Sequence, residues 1–250
     1  MKVAVIQMDI LWTDPKGNRT RAEEAIDSCP GADLYILPEM FSTGFCTQPE
    51  GVAEFCDSDT LAWMKSKSGS IGAAIAGSVA VMDCGKYYNR FYFVKPDGCV
   101  ESYDKRHLFT YGGEHNHFTA GDKRVVVEYK GVRILLQVCY DLRFPIWSRN
   151  HGDYDMAVYV ASWPATRVEA WKALLTARAI ENQSYVIGVN RVGDDPSNTY
   201  NGGTRVIDPY GNIVVSCVDG RPDVAVVEID MDSLETFREK FPVLNDADRL

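Results

Sequence analysis

The chain has 250 residues, 46% of them apolar, and it carries 26 basic against 35 acidic residues for a net charge of −9. This length and apolar content are enough for one domain over residues 1–250 with a large core. The negative charge disfavours a general attraction to nucleic acids and anionic membrane surfaces, so small molecules or proteins are the expected partners.

The first segment, Met1 to Met8, predicts a strand and lacks the long apolar core and cleavage site of a secretory signal. The most apolar later run, Ile71 to Met82, is shorter than the roughly 20 residues that span a bilayer. Seven cysteines without CxxC spacing argue against a disulfide framework. We therefore expect a cytoplasmic protein.

Apolar periodicity and turn residues divide the chain into alternating elements. The first half predicts a helix after Asp14-Pro15, a helix at 59–67, and strands at 2–8, 34–37, 73–82, 87–94 and 100–103. The second half predicts a short helix from Pro145, helices at 167–182 and 231–240, and strands at 125–129, 132–138, 156–160, 185–189, 204–207, 213–218 and 224–229. This alternation favours layered sheets with helices outside, an α/β sandwich.

Three polar residues, Glu39, Lys105 and Cys139, each stand just beyond a predicted strand. If these strands are neighbours that point the same way, the side chains meet at one sheet edge. A thiol with an ordinary pKa near 8.5 needs a cation or a base to attack a carbonyl at neutral pH, and lysine and glutamate supply both. Taken alone, a cysteine after a buried strand is more often a core residue.

The motifs Leu37-Pro38-Glu39, Tyr103 to Phe109 and Cys139 to Pro145 resemble the three catalytic motifs of the nitrilase superfamily of carbon–nitrogen hydrolases. Their order and spacing fit, and the resemblance, which is greatest to the omega-amidase branch, extends from Met1 to Pro242. It implies a four-layer αββα sandwich and an amidohydrolase without a cofactor or metal.

The resemblance also implies roles for individual residues. Cys139 is the nucleophile that forms a thioester, and Glu39 is the general base. Lys105 and the backbone N–H of Tyr140 stabilise the oxyanion. Glu114, in the loop after the lysine, corresponds to a second family glutamate that positions the lysine and the substrate amide.

Arg143 is the candidate carboxylate-binding residue, because an arginine at the matching place holds the substrate carboxylate in carbamoyl amino acid hydrolases. A structural ion pair with Asp141 or Asp104 is the alternative. Four further side chains are candidates for the pocket wall, although they could equally be ordinary packing: His107, Phe109, Phe118 and Trp163.

Two other kinds of chemistry are open to this sequence. His115 and His117, with Glu114 nearby, form a weak zinc-like pattern, and a histidine could in principle pair with Cys139. The matched motifs make neither necessary, so we expect no metal. Cys46 follows Glu39 closely enough to be near the pocket.

We expect an omega-amidase that hydrolyses short dicarboxylate monoamides such as 2-oxoglutaramate to the 2-oxo acid and ammonia. Nitrilase or N-carbamoyl amino acid hydrolase activity is the enzymatic alternative, and a non-catalytic binding protein on the same fold is the alternative from another class. The resemblance also implies a homodimer or a larger homo-oligomer, with Pro145–His151 and Phe241–Leu250 as interface segments.

Overall fold

The computed structural model describes residues 1–248. The first half contains β1 (Lys2–Gln7), α1 (Pro15–Asp27), β2 (Leu34–Ile36), β3 (Glu54–Phe55), α2 (Asp59–Ile71), β4 (Ala74–Asp83), β5 (Lys86–Val94) and β6 (Val100–Asp104). The second half contains β7 (Val126–Tyr129), β8 (Val132–Val138), β9 (Met156–Ala161), α3 (Val168–Asn182), β10 (Tyr185–Asn190), β11 (Val192–Asp194), β12 (Thr199–Asn201), β13 (Arg205–Ile207), β14 (Ile213–Ser216), β15 (Asp223–Glu228) and α4 (Met231–Lys240).

These strands form two mixed sheets and one short hairpin. The first sheet has the order β15-β1-β2-β4-β5-β6, with β3 also paired to β4. The second has the order β14-β13-β10-β9-β8-β7. In each sheet the central strands run parallel, β1, β2 and β4 in one and β8, β9 and β10 in the other, and antiparallel strands flank them. The hairpin of β11 and β12 stands apart from both.

Alternating side chains along the central strands produce four layers. On β1, Val3 and Val5 enter the core between the two sheets, whereas Ala4 and Ile6 pack beneath α1 and α2. On β8, Ile134 enters the same central core, and Leu135 on the opposite face packs beneath α3. Because both faces of each sheet are covered, these strands are apolar over most of their length. The predicted αββα sandwich is confirmed.

Local capping explains where the helices begin and end. Asp14 accepts a hydrogen bond from the backbone N–H of Gly17, and Pro15 takes the first position of α1. Helix α2 continues four residues beyond the predicted end, to Ile71, because Gly72 adopts the left-handed conformation (φ 65°) that terminates it. The predicted bounds 231–240 agree with α4.

The predicted helix from Pro145 is wrong. The helical turn begins earlier, as a 3₁₀ turn at Cys139–Arg143, and residues 145–148 form a turn. The Asp141 carboxylate accepts the backbone N–H of Val138, and Phe144 N–H donates to the Asp141 carbonyl, so the 3₁₀ turn is closed before the proline.

The short strands β3, β11 and β12 were not predicted, because a strand of two or three residues shows little periodicity. Within residues 1–248, no helix has the length and apolarity that crossing a membrane requires.

Candidate active site

Glu39, Lys105 and Cys139 meet at one end of the sandwich, but they come from both sheets. Glu39 follows β2 and Lys105 follows β6 in the first sheet, whereas Cys139 follows β8 in the second. The three strands are therefore not neighbours in one sheet, and the side chains converge across the two sheets. Glu39 joins the sheets, because its Oε2 accepts a hydrogen bond at 2.8 Å from the backbone N–H of Ser162, which follows β9.

Lys105 is enclosed by two carboxylates. Its Nζ lies 2.9 Å from Glu39 Oε1 and 2.9 Å from Glu114 Oε2, and all three side chains are fully buried. Asn89 Nδ2 donates to Glu39 Oε1 at 2.8 Å and to Glu114 Oε1 at 3.2 Å. Burial alone would lower the pKa of Lys105, but the charges of Glu114 and Glu39 outweigh it and raise the pKa above its usual value. Lys105 is therefore a cation.

Glu114 is the second carboxylate that holds Lys105. Both of its oxygens accept hydrogen bonds from Lys105 Nζ, and Oε2 also accepts the backbone N–H of Phe109 at 2.6 Å. Burial raises the pKa of Glu114, and the Lys105 charge opposes that shift. The geometry is that of a residue that positions the lysine.

Cys139 occupies a constrained backbone conformation at the end of β8. Its φ of 45° lies in the left-handed region, which is uncommon for a residue with a side chain. Burial and the neighbouring Glu39 charge raise the pKa of the thiol well above its usual value, and Lys105 only partly opposes them. The thiol is therefore protonated at neutral pH, and attack on a substrate requires a base that removes the proton.

Asp141 secures the turn that carries Cys139, and sequence reasoning did not find this role. Its Oδ2 accepts the Val138 N–H at 3.0 Å and the Tyr103 hydroxyl at 2.8 Å. Its Oδ1 accepts the backbone N–H of His107 at 2.9 Å and faces His107 Nδ1 at 2.8 Å. Four polar neighbours around one fully buried carboxylate fix the position of the turn.

His107 does not line the pocket, contrary to expectation. Its ring stacks on Phe144 with 4.0 Å between the ring centres, and Nδ1 faces Asp141. In the described part of the chain, no histidine forms a hydrogen bond with Cys139, so the alternative of a cysteine–histidine pair has no geometric support.

A narrow cavity opens beside Cys139. Its walls are mainly aromatic, and two arginines contribute the charge. The lining residues are Phe45, Phe109, Cys139, Tyr140, Arg143, Ser162, Trp163, Pro164, Arg167, Asn198 and Tyr200. Phe109, Trp163 and Arg143 thus lie where they were expected.

Phe118 lies elsewhere, in a cluster with Met40 and Ala80, and its ring contacts that of Tyr87. It is a core residue, and the expectation that it lines the pocket is wrong. Sequence reasoning in turn missed Phe45, Arg167 and the hairpin residues Asn198 and Tyr200, because none of them lies in the three motifs. The one feature of the sequence that could have indicated Arg167 is its position three residues after Pro164.

Arg143 faces the cavity without an acidic partner in residues 1–248. Its guanidinium carbon lies 4.9 Å from the centre of the Trp163 ring. Both carboxylates proposed for an ion pair have other partners. Asp104 forms an ion pair with Arg90 at 2.7 Å, and Asp141 accepts the hydrogen bonds described above. The ion-pair alternative is therefore wrong, and the guanidinium is free to bind a ligand carboxylate.

The residues of the zinc-like pattern do not converge. Glu114 is directed to Lys105, and His117 Nδ1 lies 2.9 Å from Glu50 Oε1. Across the described residues, no group of three or more His, Cys, Asp or Glu side chains could hold a metal ion. The site is built from a cysteine, two glutamates and a lysine.

An αββα sandwich with a pocket cysteine beside a buried Glu–Lys–Glu cluster is the architecture of the nitrilase superfamily, as the three motifs implied. The family model described as carbon-nitrogen hydrolase matches residues 2–239. The chain belongs to this family, and it is an amidohydrolase that acts on carbon–nitrogen bonds.

Relatives align over almost the whole chain. The sequence is 46% identical to the omega-amidase YafV of Escherichia coli strain K12, over 99% of this chain and 97% of the relative. It is 36% identical to a 2-oxoglutaramate amidase of Bacillus subtilis, over 98% and 96% respectively. A solved structure of XC1258 from Xanthomonas campestris, a CN-hydrolase superfamily protein with an arsenic adduct in the active site, superposes with a TM-score of 0.97 at 41% identity, covering 100% of this chain and 98% of that one.

Proposed function

We propose that this protein is an omega-amidase that hydrolyses short dicarboxylate monoamides, with 2-oxoglutaramate as the expected substrate. The observation that carries the proposal is that one cavity holds both Cys139 and the guanidinium of Arg143, which has no acidic partner within residues 1–248. A linear monoamide can place its amide at the thiol and its carboxylate at the arginine. The names of the relatives, omega-amidase and 2-oxoglutaramate amidase, agree with this substrate class.

The first chemical step is thiol attack on the amide carbonyl. Glu39 accepts the Cys139 proton as the sulfur–carbon bond forms, which the raised pKa of the thiol makes necessary. The carbonyl oxygen takes up the electron pair and becomes an oxyanion. Lys105 and the N–H of Tyr140, the second residue of the 3₁₀ turn, stabilise this charge.

The tetrahedral intermediate then collapses. The carbon–nitrogen bond breaks as Glu39 returns its proton to the nitrogen, which leaves as ammonia, and a thioester remains on Cys139. In the second half, Glu39 removes a proton from water, whose oxygen attacks the thioester. The carbon–sulfur bond breaks, the thiol regains the proton, and the dicarboxylic acid is released. Glu114 keeps Lys105 in place throughout.

The cavity suits a substrate with an apolar middle and a charged end. Phe45, Phe109 and Trp163 provide aromatic walls in the cavity that Cys139 and Arg143 also line, which suits the methylene groups of a short chain. Nitriles and N-carbamoyl amino acids are the alternative substrates, because both are also attacked by a thiol at carbon.

An assay for ammonia release over three substrate classes tests the proposal. We expect 2-oxoglutaramate to be hydrolysed with a higher kcat/KM than a short aliphatic nitrile or an N-carbamoyl amino acid. Preference for either of the latter would make the protein a nitrilase or a carbamoylase instead. Absence of ammonia from all three would favour the non-catalytic binding protein.

We also propose that the protein forms a homodimer through the two segments named from the sequence. Residues of the first segment, including Trp147, line one groove together with Asp248 of the second, so the described end of the second segment lies beside the first. Ile146 is 73% exposed and Phe241 is 58% exposed, and such side chains gain most from being covered by a second copy. Residues 249–250 of the second segment lie outside the described residues. Gel filtration with light scattering at micromolar concentration is expected to give twice the monomer mass of 27.9 kDa, and the monomer mass would contradict the proposal.

The cytoplasm is the proposed compartment. All seven cysteines are free, and Cys56, Cys84 and Cys99 are exposed. Exposed thiols suit a reducing environment. Immunodetection after cell fractionation checks this, and recovery from an oxidising compartment would contradict it.

A further inference from the structure

Arg167 is a second cation in the cavity, and the motifs that predicted the site do not include it. It ends the 3₁₀ turn Ala165–Arg167 directly before α3, and it lines the cavity. Its carbonyl accepts a hydrogen bond from Trp163 Nε1 at 2.8 Å, and its guanidinium carbon lies 5.5 Å from the centre of the Phe109 ring. Two cavity-lining aromatic residues therefore hold Arg167 in the wall.

Trp163 connects the two arginines of the cavity. Its ring supports the guanidinium of Arg143, while its indole N–H fixes the backbone of Arg167. Within residues 1–248, neither guanidinium forms an ion pair, and no aspartate or glutamate is among the residues that line the cavity. The guanidinium groups of Arg143 and Arg167 thus have no carboxylate partner within the described residues. Each guanidinium has several N–H donors that a bound anion could accept.

We propose that Arg167 is a specificity-determining residue that binds the anionic end of the substrate together with Arg143. The inference rests on the proposed function, because it concerns the same substrate in the same cavity. Two guanidinium forks can serve a carboxylate and an adjacent oxygen, such as a 2-oxo group, at the same time. An ammonium group at that end would be repelled by both, so the pair favours 2-oxo and simple dicarboxylate monoamides over amides of amino acids.

The two arginines provide a local positive charge in a chain whose net charge is negative. The net charge of −9 repels anions at long range, so binding of an anionic substrate depends on local cations in the cavity. Removal of either arginine charge should therefore weaken substrate binding more than it slows the chemical step. This distinguishes Arg167 from Glu39 and Cys139, whose loss would act on the chemical step.

The test compares succinamate with butanamide, an amide of the same chain length that lacks the carboxylate. We expect Arg167→Gln to lower the ratio of kcat/KM for succinamate to that for butanamide by roughly 10- to 100-fold, the usual worth of a hydrogen bond to a charged group. The loss should fall on KM, with kcat for succinamate changed by less than about threefold, and Arg167→Lys should recover part of the ratio. Arg221→Gln is the matched control, since Arg221 is exposed and does not line the cavity.

Binding of succinate, measured by calorimetry, gives a second readout that is independent of turnover. We expect Arg167→Gln to weaken succinate binding by a similar factor and Arg221→Gln to leave it unchanged. If the wild-type enzyme hydrolyses succinamate and Arg167→Gln preserves both the ratio and the succinate affinity, the inference is overturned while the proposed function stands. If the wild-type enzyme hydrolyses neither succinamate nor 2-oxoglutaramate, the proposed function fails and the inference with it.

Discussion

Replacing Cys139 by alanine is expected to lower the rate of ammonia release from 2-oxoglutaramate on the order of 10⁴- to 10⁶-fold, as the loss of a covalent nucleophile does in other hydrolases. No other described thiol lines the cavity, so none can substitute for it. The buried ion pairs of Lys105 do not include the cysteine, and the variant should therefore fold. The measurement is kcat/KM with circular dichroism as the folding control.

The thioester provides a direct readout of the same prediction. Acid quenching of the wild-type enzyme during turnover should trap an acyl group on Cys139, which intact-protein mass spectrometry detects as an added mass. Cys139→Ala should show no such adduct. Cys56→Ala is the matched control, because Cys56 is exposed and does not line the cavity, and it should retain both the adduct and the activity. Turnover by Cys139→Ala at the wild-type rate would exclude the covalent mechanism.

The layered fold could be predicted because its strands are long and apolar. Val3 to Ile6 and Ile134 to Leu136 are buried on both faces, which produces a continuous apolar run that is visible in one sequence. The assignment of strands to two sheets could not be read in the same way. Glu39 and Cys139 both follow parallel strands, and nothing in the local sequence indicates that those strands belong to different sheets.

The chemical core of the site could be predicted, whereas most of its supports could not. Glu39, Lys105 and Cys139 stand in motifs whose residue types carry recognisable chemistry, and Glu114 was assigned from the resemblance to the family. Asp141 and Asn89 act through contacts with residues far away in sequence, such as the hydrogen bond from the Tyr103 hydroxyl to Asp141. The prediction that His107 lines the pocket was wrong for the same reason, because its contact with Asp141 and its stacking on Phe144 depend on the tertiary structure.

Replacing Glu39 by glutamine is expected to lower kcat on the order of 10²- to 10⁴-fold, the usual contribution of a general acid–base residue. Glutamine keeps the size of the side chain but cannot accept the thiol proton. Glu128→Gln is the matched control, because Glu128 is exposed on β7 and should not affect turnover. Retention of wild-type kcat by Glu39→Gln would show that another group removes the thiol proton.

The same substitution should make Cys139 more reactive toward an alkylating agent, even though it slows hydrolysis. Burial and the Glu39 charge both raise the pKa of the thiol, so removing that charge lowers the pKa and leaves Lys105 less opposed. At a fixed pH near 8 a lower pKa means a larger thiolate fraction, and the pH profile of alkylation by iodoacetamide should shift to lower pH in Glu39→Gln. A misfolded site would lose hydrolysis without this shift. Opposite changes in hydrolysis and alkylation are the result expected of a general base, because the Glu39 charge raises the pKa of the thiol and the same carboxylate must receive the proton during turnover.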